Sequence, residues 1–226
     1  MLDWRFFLPV LLTLGSCTSQ SAPATEVVTE VPVQPGCSQV SATVGESWAL
    51  ALQRAKAAYD THKALIMNRQ RVAVVNYVTR GDSEDRLRLY DPSQDWALVQ
   101  SAWVSHAAKS DSQPEAETME GCANKFSNVP QTNLSSRGAM LTGNKIDESP
   151  TFAGARLHLN GLEPELNCRV RARKIIFHRA VQRWQPASDT RWTLTHTEGC
   201  LALKPSENKA ILEQLVGRAL VYVHQE

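Results

Sequence analysis

The sequence predicts a mainly β domain with two or so helices. Short stretches rich in β-branched residues recur between turn signals from residue 71 to the C-terminus. Apolar residues at helical spacing are confined to one segment at the start of the folded region and one near its end. The chain of 226 residues, of near-average globular composition, suffices for one sizeable core and not for two ordinary domains with linkers.

Taken in order, Trp48, Leu52, Ala55 and Tyr59 form an apolar stripe within Glu46 to Lys63, so an amphipathic helix opens the folded region. Arg71 to Val78 is β-branched, and Arg86 to Tyr90 alternates before ending at Asp91-Pro92; both read as strands. Ala97 to His106 reads as a third strand and the polar run Ala107 to Glu117 as a loop. Gly138 to Thr142, Ala155 to Leu159 and Lys174 to His178 follow as strands. Pro205 to Leu215 reads as a helix, with Pro where helices tolerate it, and Ala219 to His224 closes the chain as a strand. There is no internal repeat.

The N-terminus carries a different signal. After Arg5 comes the largely apolar run Phe6 to Leu14, far shorter than the roughly 20 residues of a membrane span and of the size of a signal-peptide core. Leu14-Gly15-Ser16-Cys17 resembles a bacterial lipobox, whose small residues admit a peptidase to the bond before a cysteine that then receives lipid. On this reading residues 1–17 are a signal peptide with a lipobox, 18–40 a flexible tether rich in Ser, Thr, Ala, Pro, Val and Glu, and 41–226 the folded domain. Ordinary secretion with cleavage near Ala22-Pro23-Ala24, or an uncleaved anchor, remain alternatives. All three place the domain outside the cytoplasm, and a lipid on Cys17 would make the membrane a partner. Thr18 favours the outer membrane, since Asp is the common inner-membrane retention signal at that position.

With 24 Lys and Arg against 23 Asp and Glu, the net charge of +1 gives no reason to expect nucleic acid as a partner. Of the five cysteines, Cys17 is assigned to lipid and Cys200 to a free thiol. Cys37, Cys122 and Cys168 remain, enough for one disulfide with one left over, in an exported setting that permits the bond. No Cys-x-x-Cys occurs, so neither a structural zinc site nor a thioredoxin-type motif is expected.

The chemistry is sought at Glu198-Gly199-Cys200. A glycine before a nucleophilic cysteine lets the backbone turn sharply, exposing sulfur and aiming neighbouring N–H groups at an oxyanion. The thiolate is the nucleophile, and a nearby histidine lowers the cost of forming it. Taken alone, Gly-Cys fits a buried or disulfide-bonded cysteine better. His178 changes that reading. It ends the apolar run Ile175-Ile176-Phe177 and lies 22 residues before Cys200.

His178-Arg179-Ala180, sixteen intervening residues and Thr197-Glu198-Gly199-Cys200 resemble the signature of the L,D-transpeptidase catalytic domains. The resemblance is strongest to the branch labelled murein L,D-transpeptidase catalytic domain. It extends through Phe126-Ser127-Asn128-Val129, Ser135-Ser136-Arg137-Gly138, Leu141-Thr142-Gly143 and Arg156 to Pro164. Asn167, Arg171, Arg173 and Ala202-Leu203 also match, so that it covers roughly residues 45 to 224.

The resemblance implies a β-sandwich catalytic domain, no cofactor or metal, and peptidoglycan stem peptides as partner. Cys200 would attack the third residue of a stem tetrapeptide, usually diaminopimelate, and expel the terminal D-alanine; the acyl group would pass to an amine or to water. His178 would act as base and then acid, with the carbonyl of Arg179 orienting its imidazole. The N–H groups of Gly199 and Cys200 would bind the oxyanion, and Thr197 would support the loop or the substrate.

Four features depart from the family pattern. Arg179 stands where the branch has Gly, and would be strained by about 1 to 3 kcal/mol if the site took positive φ. The Glu198 carboxylate would disfavour the thiolate. Leu201 replaces Pro, and the Arg found after Cys in other members is missing. A catalytically impaired murein-binding or scaffolding protein is therefore a second reading, and an L,D-carboxypeptidase a third.

Arg171 and Arg173 would share one strand face, suited either to a stem-peptide carboxylate or to surface ion pairs. His158 points away from Leu157 and Leu159, towards a surface role or the cleft wall. His106 reads as structural, His196 as a solvated loop residue, and Trp184 and Trp192 as packing beneath a long loop or a lid.

Overall fold

The computed structural model describes residues 44–79, 85–111, 122–151, 154–180 and 197–225. Helix α1 (Val44–His62) opens it, and its stripe of Trp48, Ala51, Ala55 and Tyr59 is buried against Val72, Val74, Ala139, Leu141 and Leu220. These five belong to three strands of a single sheet, so the helix covers one face of it.

The strands are β1 (Val72–Asn76), β2 (Leu87–Asp91), β3 (Ala97–Ala102), β4 (Gly138–Ser149), β5 (Gly154–Gly161), β6 (Ile176–Arg179), β7 (Leu201–Leu203) and β8 (Leu220–His224), with helix α2 (Asn208–Leu215) before the last. All eight form one sheet in the order β3-β2-β1-β8-β4-β5-β6-β7. Most pairs are antiparallel; β1 with β8 and β6 with β7 are parallel. Parallel pairing needs a crossover, and the chain supplies long ones in both cases.

The sheet curls until its ends approach. Beyond β3 the chain crosses to the far edge, where Val104 bridges Leu203 of β7 and the Ser105 N–H donates to the Ala202 carbonyl at 2.9 Å. The two layers of the expected sandwich are thus two halves of one continuous sheet. Its interior holds Ala73, Val75, Leu157, Phe177, Leu201 and Val221, sealed by Ile211, Leu212 and Leu215 of α2. Every residue of β1 is buried, because α1 covers one face and the interior the other.

The mainly β prediction with two helices holds, with local corrections. The third strand stops at Ala102 because Val104 leaves to pair with β7. Residues 164–174 are turns rather than the start of a strand, and Lys174 sits at φ 59°, so β6 begins only at Ile176. β7 gave no sequence signal, since three residues show no alternation.

Several motif residues form a clip between β4 and the turn after β5. Buried Asn167 donates from Nδ2 to the carbonyls of Arg137 (2.8 Å) and Ala139 (2.9 Å) and accepts from the Glu163 N–H at 3.0 Å. Glu163 in turn accepts from the Ala139 N–H at 2.6 Å. Gly161 has no room for a side chain: a Cβ would lie 1.8 Å from the Asn167 carbonyl oxygen. Asn167→Ala strands these backbone partners out of water, and should cost about 2 to 4 kcal/mol. Urea unfolding should show a lower midpoint with an unchanged slope.

Candidate active site

The site is assembled by the short ladder between β6 and β7. Phe177 pairs with Leu201, His178 with Ala202 and Arg179 with Leu203. Phe177 and Leu201 both face the core, so strand alternation sends His178, Ala202 and Cys200 to the opposite face. Two residues far apart in sequence thereby come to the same face of neighbouring strands.

His178 is 6% exposed, and its Nδ1 lies 2.7 Å from the Arg179 carbonyl. A carbonyl only accepts, so Nδ1 carries the proton and the lone pair stays on Nε2. Burial pulls the imidazole below its ordinary range, while the Arg179 carbonyl opposes that shift. At neutral pH the ring is a neutral base with a fixed tautomer. Arg179 itself lies in extended backbone at the end of β6, so the strain expected of a residue at positive φ does not arise.

Cys200 is the free cysteine among the described residues, and both Cys122 and Cys168 are disulfide-bonded. Its sulfur lies 3.8 Å from the Lys174 carbonyl. Burial pushes the thiol up; a hydrogen bond from the Ile176 N–H and the Arg173 cation pull it down, and Glu198 adds to the rise. The Glu198 effect foreseen in the sequence is therefore present but secondary to burial.

The loop entering Cys200 is held from three sides. Thr197 donates from Oγ1 to the Cys200 carbonyl at 2.7 Å and accepts from the Gly199 N–H at 3.3 Å. Its hydroxyl thus supports the loop, and the Gly199 N–H is turned inward to that hydroxyl. Gly199 is required for another reason. At φ 119°, a Cβ would lie 2.8 Å from Ile175 Cδ1 and 2.9 Å from the Leu134 carbonyl oxygen.

From the second side, Thr197 pairs with the chain after β3: its N–H donates to the His106 carbonyl (3.3 Å) and its carbonyl accepts from the Ala108 N–H (3.1 Å). That segment is rigid, because fully buried His106 packs edge-on against Tyr77 at 5.5 Å and its Nε2 lies 3.5 Å from Asp111. His106 is structural, as expected.

Arg173 supplies the third side. Its guanidinium donates to the carbonyls of Ser127 and Leu134 and, at 2.8 Å, to Ser136 Oγ. Those bonds use the fork that a substrate carboxylate would have needed, so Arg173 does not share a substrate-facing strand with Arg171. It instead stands beneath Gly199 as the cation beside Cys200. Arg171 is exposed in the turn, and His158 lies on β5 with Nε2 3.4 Å from Asp147. His196, Trp184, Trp192, Cys17 and Cys37 lie outside the described residues.

The L,D-transpeptidase catalytic domain model matches residues 46–224, which spans α1 to β8. The chain belongs to that family. No curated protein matches it. Family members act on peptidoglycan peptides, which places the family's work at the cell wall. In this L,D-transpeptidase domain Leu201, which stands where the branch has Pro, is buried in the core and opens the β7 ladder.

Arg173→Gln should move the pH midpoint of Cys200 alkylation by iodoacetamide upward, because a cation that favours the thiolate is lost. An unchanged midpoint in the folded variant would remove Arg173 from that role. Gly199→Ala should lower stability by about 1 to 3 kcal/mol through positive φ and close contacts, read as a lower thermal midpoint.

Proposed function

We propose that the domain is a cysteine acyl-transferase acting on peptidoglycan stem tetrapeptides, with Cys200 as nucleophile and His178 as general base and acid. The observation that carries this reading is that a tautomer-fixed imidazole and a free thiol lie on the same face of the β6–β7 ladder. His178 Nε2 takes the thiol proton as sulfur attacks the carbonyl of the third stem residue. The C–N bond to D-alanine breaks, and the imidazolium returns the proton to the departing amine. An acceptor amine then attacks the thioester, its proton passing to His178 and on to the regenerated thiol. The Cys200 N–H is the donor assigned to the oxyanion.

In this reading residues 1–17 direct export, a lipid on Cys17 anchors the chain to the outer membrane, and 18–40 let the domain reach the wall. Water in place of the acceptor amine would make the same acyl-enzyme a carboxypeptidase, and muropeptide products distinguish the two. The second reading, a catalytically impaired murein-binding or scaffolding protein, rests on Glu198, whose charge adds to the rise of the Cys200 thiol.

Incubation with a carbapenem should add one drug mass to the intact protein, and Cys200→Ala should abolish the adduct. A folded, reduced protein that gains no mass refutes the acyl-transferase reading. The pH profile gives an independent test. The base works only while neutral and its folded pKa is depressed, so activity should be retained as pH falls through 7 and be lost only below about 6.5, the ordinary histidine value. An acid limb centred above pH 7.5 would assign the base to another group.

A further inference from the structure

The face that carries His178 continues across the sheet into a cluster of cations. β5 and β6 pair Leu157 with Phe177 and His158 with Ile176, so Arg156 falls opposite His178 and shares its face. On the next strand Asp147 pairs with Arg156. Beside them the β4–β5 register slips: β4 advances from Thr142 to Ile146 while β5 moves only from Leu159 to Leu157. This bulge brings Lys145 within 3.1 Å of Asp147, whose other oxygen lies 3.4 Å from His158.

The charges in this patch do not balance. Among the described residues, Lys145, Arg156 and Arg171 act on His158 against one carboxylate, Asp147, and burial, reinforced by those cations, lowers the affinity of His158 for a proton. Asp147 is engaged with Lys145 and His158, while Arg156 Nε is buried without an acceptor among the described residues. Arg171 makes no side-chain hydrogen bond or ion pair among the described residues and is exposed.

The position of the patch relative to the thiol selects a ligand. The register places His158 opposite Ile176 and, one step beyond Leu201, Cys200 next to Ile176 on the other side. Two strand spacings of ~4.8 Å put the patch about 10 Å from the nucleophile. When the carbonyl under attack belongs to diaminopimelate, the distal carboxylate is carried on the carbon four beyond its α-carbon, at the end of the side chain. Arginine side chains close the remaining gap. A third-residue lysine would present only an ammonium to this cationic surface.

We infer that Arg156 on β5 and Arg171 in the turn before β6, beside the β4–β5 bulge, form a subsite that reads the distal carboxylate of the acyl donor's third residue. The inference rests on the acyl-transferase reading for its substrate but not for its test, which uses binding. Cys200→Ala protein is titrated with three tetrapeptides, whose third residue is diaminopimelate, its distal-carboxamide form, or lysine. The free carboxylate should bind about tenfold or more tightly than the amide, and lysine most weakly. Adding Arg156→Gln and Arg171→Gln should bring the free-acid and amide affinities within about twofold of each other while changing the amide affinity little. Equal affinities before those changes, or a preference that survives them, overturns the subsite. Carboxylate-selective binding together with no carbapenem adduct on the unmodified protein would keep the subsite and sink the catalytic reading.

Discussion

The site depends on a three-residue parallel ladder between strands that begin 25 residues apart. Phe177 and Leu201 anchor it from inside, each almost wholly buried, and their burial fixes the register at which β6 and β7 meet. A slip of one residue would turn His178 into the core and Phe177 into the cleft, exchanging an apolar ring for an imidazole in both places. The loss of burial and the cost of an unpaired polar ring make that slip unfavourable. Packing therefore fixes which face the thiol and imidazole share.

Around that ladder, polar groups are used to hold backbone. Thr197 closes the cysteine loop on itself, His106 and Ala108 tie the loop to the chain after β3, and Arg173 gathers the carbonyls of Ser127 and Leu134 beneath Gly199. The missing arginine after the cysteine is thus matched by a cation reached from an upstream turn. Its effect is opposed by burial, which dominates the thiol, and so the site combines a largely protonated thiol with a neutral base. On the proposed function, such a pair would transfer its proton when substrate arrives rather than rest as an ion pair.

The family motifs divide along the same line. His178 and Cys200 share one face of the β6–β7 ladder, whereas Gly161, Glu163 and Asn167 form a clip whose work is to lock the turn after β5 against β4. Both kinds were visible as sequence, and sequence had no means to separate them. Arg171 and Arg173 show the difficulty most plainly. Their alternate spacing suggested one strand face, but the positive φ of Lys174 ends a turn there, and one guanidinium goes inward while the other stays in solvent.

The sequence by itself determined the fold class, both helices and most strands, because these follow from local periodicity, and it named His178 and Cys200 as candidates because their motifs stand in a fixed order. β7 was too short to have a period, and the extent of the β4–β5 bulge depends on pairing rather than on composition. Tertiary structure alone decided that Arg179 is unstrained, that the Gly199 N–H turns inward, that burial outweighs Glu198 at the thiol, and that Arg156 lies beside the histidine. Each of these depends on which distant groups surround a residue, and no local pattern encodes that.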